Sequence, residues 1–180
     1  MRSSVPATMI AVALLFPACG SSSTAPGIII PAGTHQAPIA AVSGPGSGGV
    51  SVSPKAIPEG TFAADISVLI TGARPSASYI VQRAPEIGRA LGADGVCQRA
   101  LGLSPWSTAD PPAPAFVTFP LGTGVAFVGT AANGTGTLNF EFRAPSIAAG
   151  TVFDVMFRLV DSETAPTTEL RSGCFTVTAK

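Results

Sequence analysis

Charge and histidine are scarce in this sequence. Charged residues make up 11% of the chain, and 10 Lys plus Arg are matched by 10 Asp plus Glu, a formal net charge of zero. A chain balanced in this way, with no basic cluster, has no counterion-release drive toward a polyanion, which argues against nucleic acid as a partner. The lone histidine, His35, lies in a stretch of small and polar residues, and there is no Gly-x-Ser-x-Gly elbow. Neither a His-based metal site nor a Ser-His-Asp triad has a place to form, so no metal or other cofactor is expected. One Trp and one Tyr do not make the exposed aromatic platform that carbohydrate-binding sandwiches use.

Apolar residues, by contrast, reach 46% and the mean hydropathy is +0.45. That excludes a disordered polyelectrolyte and fits a hydrophobic leader followed by a β-rich core. A chain of 180 residues allows one ordinary domain plus tails. The leader is residues 1–18: a single early charge at Arg2, an apolar stretch from Met9 to Phe16, then small residues. It is shorter than the roughly 20 residues that a membrane-spanning helix needs and has the layout of a signal peptide.

The segment Leu15-Phe16-Pro17-Ala18-Cys19-Gly20, followed by Ser21, Ser22 and Ser23, resembles the lipobox of bacterial lipoproteins, in which a small residue precedes an acylated cysteine. Phe16 and Pro17 depart from the usual pattern, and ordinary cleavage after Gly20, which would discard Cys19, is the alternative. The resemblance implies that Cys19 becomes the first mature residue and carries a lipid. Several acyl chains, at about 0.8 kcal/mol per buried CH₂, would hold the protein on a membrane. It also implies a place in the bacterial cell envelope, and Gly20 in the position of a retention aspartate favours the outer membrane or cell surface. Residues 20–49, rich in Ser, Gly, Pro and Ala, read as a flexible linker with a reach of about 30 Å, and His35 as a solvated residue within it.

Period-two alternation then takes over. Phe62, Ala64, Ile66, Val68 and Ile70 form one apolar face, the mark of a strand with one buried side. Similar runs at 79–82, 116–119, 125–130, 137–143, 153–160 and 175–178, with 50–53 as an opening strand, predict an all-β domain over residues 50–180. Its pattern resembles immunoglobulin-like or fibronectin-like modules in general, which implies an antiparallel β-sandwich of about seven strands. Asn133-Gly134 suits a two-residue type I′ hairpin turn. That register would pair Gly129 with Leu138, Phe127 with Phe140 and Val125 with Phe142, all on one face. Residues 85–102 break the pattern and predict a short helix or ordered loop, with Pro85 in the first helical position and Gly92 or Gly95 at its end.

With one of three cysteines assigned to the anchor, Cys97 and Cys174 remain in an exported chain and are expected to be bonded. Closing a loop of about 78 residues stabilises by about 4.5 kcal/mol at most. Because Phe175 and Val177 should face the core, the bond would pin the 85–102 insertion to a sheet edge or outer face. Glu141 and Asp154 fall on the outer faces of consecutive predicted strands, alternating with Arg143 and Arg158, and read as an exposed ion-pair ladder or as a glycosidase-like pair. Asp94, Asp110, Asp161 and Glu163 lie in predicted loops and are candidates for calcium binding, though without ligand spacing of the EF-hand kind. Trp106, beside a Pro-rich stretch, is the candidate ligand anchor, or else covers the core beneath that loop. These residues point to a non-enzymatic envelope module that binds a protein or polymer partner. The alternative is a carbohydrate-active hydrolase or enzyme accessory that uses the acidic loop residues.

Overall fold

The alternating face from Phe62 to Ile70 lies at the heart of the fold. A computed structural model describes residues 35–57, 61–88, 90–104, 114–161, 163 and 167–180. In it all five side chains of that face are buried on one side of β3 (Thr61–Thr71). β3 pairs with β2 (Ser47–Lys55) on one edge and β9 (Gly136–Ala148) on the other. Beyond β2 the sheet runs through β1 (His35–Ser43), β11 (Thr168–Ser172), β10 (Val152–Asp161) and β4 (Ser78–Pro85) to the short β5 (Val117–Thr118). β12 (Phe175–Thr178) joins β10 and β8 (Phe127–Gly129) joins β4, completing a 10-stranded sheet. β6 (Pro120–Leu121) and β7 (Gly124–Val125) form a separate ribbon. Every pairing is antiparallel, and the one helix among the described residues is α1 (Gln98–Leu101). The all-β expectation therefore holds.

The sheet curls because its two ends share one core. Phe119 meets Phe140 and Phe142 of β9 edge-on, with ring centroids 5.2 and 5.1 Å apart, and stacks on Phe157 of β10 at 5.4 Å. Phe62 of β3 meets Phe153 of β10 at 5.7 Å. Since β9 ends the strand order on one side and β10 lies toward the other, these contacts exist only if the sheet folds back on itself. Edge-to-face and offset rings add about 0.5–1.5 kcal/mol per pair beyond the area they bury.

Three elements of the fold depart from the sequence expectations. Residues 35–49 are not linker: β1 lies between β2 and β11, His35 stands opposite Val52, and Ala37 and Ile39 face the core. The small residues there serve a crowded ladder. A Cβ on Gly48 would stand 1.9 Å from the Leu69 carbonyl oxygen of the neighbouring strand, so only glycine fits. His35 is accordingly half-buried, and desolvation, then the charge of Lys180, lower its pKa.

The second correction concerns Asn133-Gly134. It does turn the chain, with Gly134 at φ +73°, its N–H donating to Ala131 O (2.9 Å) and Thr135 N–H donating to Asn133 Oδ1 (3.0 Å). Asn133 itself is not in the left-handed region, so the turn is not type I′. The strands it joins do not pair with each other: β8 goes to β4 and β9 to β3. The turn therefore crosses between the two halves of the curled sheet. In consequence Ala126 and Val128 are buried, while Val125 and Phe127 are exposed.

Third, Pro85 closes β4 and starts no helix. Leu91 has φ +63°, and among the described residues the helical turn comes later at α1, stopped by Gly102 in the left-handed conformation. Much of the insertion is tied to β10 instead of to itself. Asp154 N–H donates to Gly92 O (2.6 Å) and Glu86 N–H donates to Asp154 O (2.9 Å).

Candidate functional site

The insertion is fastened from beneath by a disulfide and a buried carboxylate. Cys97 and Cys174 are bonded, with Cα atoms 5.6 Å apart, inside the range such a bond takes. Cys97 is fully buried in a second apolar cluster with Ala84, Ala100, Phe116 and Met156. Ala84 and Met156 alternate with the core-facing residues of β4 and β10, so the bond pins the insertion to the outer side of the sheet, as its position in the sequence implied.

Asp154 also points outward from β10, between the core residues Phe153 and Val155. It is nevertheless fully buried, which corrects its expected place in an exposed ladder. The insertion lies over it: Oδ2 accepts from Gly95 N–H and Oδ1 from the Thr176 hydroxyl, both at 2.6 Å. A buried carboxylate with hydrogen bonds to both oxygens fixes what it touches.

Glu86 is buried beside it and accepts from Arg99 N–H through Oε1, while no donor among the described residues meets Oε2. Burial pushes its carboxyl pKa up. A raised carboxyl favours the protonated native state, so its stabilising contribution is complete below the ordinary glutamate value and is lost as pH rises through the raised one. Glu86→Gln is therefore expected to be at least as stable as the wild type at pH 7. Wild type should gain on the variant as pH falls toward 4, as urea denaturation at each pH would report. A variant less stable at pH 7 would contradict this account of Glu86.

Glu141, by contrast, does join an exposed network. It meets Arg143 at 2.6 Å and Lys55 at 2.8 Å, and Lys55 also reaches Asp65 at 2.6 Å. These two cations hold the Glu141 carboxyl down to about 2. Arg158 does not extend this ladder, since it donates to Gln82 Oε1 (2.8 Å) and lies 4.3 Å over the Phe116 ring. Glu141 and Asp154 sit on β9 and β10, which do not pair, so the structure does not bring them together as a carboxylate pair. Asp94 caps its own turn, accepting from Val96 N–H and the Gln98 amide. Asp161 is buried against Arg74 at 2.6 Å, with Glu163 outside it at 3.8 Å from the same nitrogen. Among the described residues no group of three or more His, Cys, Asp and Glu is arranged to hold a metal ion. Cys19, Trp106 and Asp110 lie outside the described residues.

The feature that residue-by-residue reading missed is an apolar cleft of about 140 Å³ at one end of the curled sheet. It opens where the first residues of β3 and β10 meet the last of β4 and β9, and its walls include Phe62, Ile147, Val155 and Val177. Ser146, exposed, stands among its lining residues, and Ile87, the second residue of the pinned insertion, forms part of one wall. Among the described residues one charged side chain lines it.

That side chain is Arg83, which shares the inward parity of Tyr79 and Val81 on β4. Its guanidinium lies 4.3 Å from the centres of both the Phe119 and Phe142 rings, and Nη1 donates to Thr118 O at 2.7 Å. Ring faces carry negative electrostatic potential and hold a cation at such distances. Desolvation by the apolar surroundings, then the like charge of Arg99, bring the Arg83 pKa down to about 10, so the group is cationic at neutral pH. Period-two parity from Tyr79 would have placed Arg83 inward from the sequence alone. Comparison with protein-family models, curated proteins and solved structures found no match to this chain.

Proposed function

We propose that this chain is an exported bacterial lipoprotein, anchored through an acylated Cys19. In this reading its immunoglobulin-like β-sandwich is a non-enzymatic binding module of the cell envelope, at the outer membrane or cell surface, that holds a small apolar ligand in the cleft. The cleft carries the reading. Its lining offers apolar contact and a single fixed cation, Arg83, which are the means of holding a molecule in place. A space of about 140 Å³ is close to that of an apolar protein cavity known to bind benzene, roughly 150 Å³.

Two further observations support the setting. The Cys97–Cys174 bond suits an oxidising compartment outside the cytosol. The ring contacts that join opposite halves of the curled sheet, Phe119 with Phe142 and Phe62 with Phe153, support the sandwich reading, which calls for two facing layers around one core.

Benzene titrated into the full chain is expected to shift the NMR signals of Phe62, Ile147 and Val155. Two plugging variants, Ala144→Phe and Ser146→Leu, should suppress the shifts while keeping the native spectrum elsewhere. Absence of shifts, or equal shifts in both plugged variants, would remove the cleft as a binding site.

A further inference from the structure

We infer that the ligand of the cleft is a small molecule with an apolar body and one carboxylate, its charge held by Arg83. The inference rests on the cleft being a binding site and adds the chemistry of what it binds.

An arginine turned toward an apolar interior ordinarily has a carboxylate partner, because a desolvated charge without one is costly. Asp161 shows the usual arrangement in this same fold, buried against Arg74 at 2.6 Å. Among the described residues the partners of Arg83 are two aromatic rings and one backbone carbonyl, and the neighbouring charge is Arg99, of the same sign. Arginine carries five N–H donors in a planar fork that matches a carboxylate. One donor is taken by Thr118 O. Both the field and the hydrogen-bonding capacity at the cleft therefore ask for an anion.

The rest of the lining fixes the body of that anion. Phe62, Ile147, Val155 and Val177 offer only apolar surface, and about 140 Å³ admits a single ring or a short alkyl chain, since a cavity of roughly that size is filled by benzene. The two rings that the guanidinium lies against and the Thr118 carbonyl that it donates to hold the charge at the wall of the cleft. Specificity then arises from Arg83 and size from the walls.

Benzoate, benzamide and benzamidine share one shape and differ in charge, and their affinities for the full chain can be read by NMR titration. Benzoate is expected to bind about tenfold or more tighter than benzamide, the scale of a charge-assisted hydrogen bond, with benzamidine the weakest. Arg83→Met, which keeps an apolar stem of similar length, should bring benzoate down to the level of benzamide and leave benzamide within about twofold. Arg83→Lys should retain part of the preference, because it keeps the charge and loses the fork. If the three compounds bind equally, or if Arg83→Met leaves the benzoate preference intact, the carboxylate assignment is overturned while the cleft stands. If none of them, nor benzene, perturbs the cleft, both fall together.

Discussion

Truncating Phe119 to alanine is expected to destabilise the fold by about 3–5 kcal/mol, the range for a fully buried phenylalanine. Phe119 belongs to no strand, yet it is 1% exposed and lies against rings from both halves of the curled sheet: Phe140 and Phe142 on β9, Phe157 on β10. No one of those strands pairs directly with another of the opposite half, so this ring is a joint between them. A cavity left there is walled by the rings of Phe140, Phe142 and Phe157, which are held by strands of both halves, and incomplete collapse of such walls places the cost in the upper part of the range. Phe119→Leu should cost markedly less, because it keeps most of the volume. Both variants are measured by urea denaturation at equilibrium, with the slope checked for constancy. A loss below about 1 kcal/mol for Phe119→Ala would show that the halves are joined elsewhere. The same variant removes one of the two rings that Arg83 lies against, so it should also weaken the preference of the cleft for benzoate.

Replacing both Cys97 and Cys174 with alanine is expected to cost about 2–4 kcal/mol, within the chain-entropy ceiling of about 4.5 kcal/mol for a loop of this length. The sequence separation is 77 residues, and the bond spans from the insertion to the short link between β11 and β12. The loss should not be uniform. The insertion also relies on Asp154, whose carboxylate holds Gly95 N–H, and on the backbone bond from Asp154 N–H to Gly92 O. These attachments keep it near the sheet when the disulfide is gone, but no longer at a fixed distance. Hydrogen exchange should therefore quicken first at Gly95, Val96 and Gln98, and only later, through global unfolding, in β3. Because Ile87 lines the cleft at the foot of the insertion, the same change should loosen benzene binding. If exchange in β3 and in the insertion rises in step, the bond acts on the whole domain alone and not as a local pin.

Much of this fold could be read from the sequence wherever alternation involved large side chains. The five inward residues of β3 and the runs that became β10 and β12 followed from parity; the Cys97–Cys174 bond followed from the cysteine count, and parity gave the face it pins. β1 and β11 did not, for a physical reason. Their inward positions are Ala37 and Ile39 in one, and Thr168, Leu170 and Ser172 in the other, so the apolar amplitude is too low to stand out. Strands flanked on both edges are held by their neighbours' ladders as much as by their own faces. Residues 44–49 looked like tether because Gly and Ser are common in linkers, yet Gly48 is demanded by the 1.9 Å approach of the Leu69 carbonyl.

The choice of face in β8 was equally hidden. Val125 and Phe127 are larger than Ala126 and Val128, so size alone points the wrong residues inward. The pairing of β8 with β4, set by the crossing at Asn133-Gly134, decides the matter. As for the candidate site, Arg83 was legible by its parity with Tyr79 and Val81, but its meaning depends on rings from Phe119 and Phe142. They lie 36 and 59 positions further along the chain, and no local pattern announces that they converge. Asp154 shows the reverse: its outward parity was right, and its burial came from an insertion that the alternation could not foresee.

The proposed lipid anchor at Cys19 and the oxidised pin can be tested together. Mass spectrometry of the protein taken from its native membrane fraction, with and without reduction, reads both parts at once. The account predicts a mature chain that begins at an acylated Cys19 and carries a Cys97–Cys174 cross-link that opens only on reduction. A chain that starts at an unmodified Ser21, or one in which Cys97 and Cys174 are free before reduction, would contradict it.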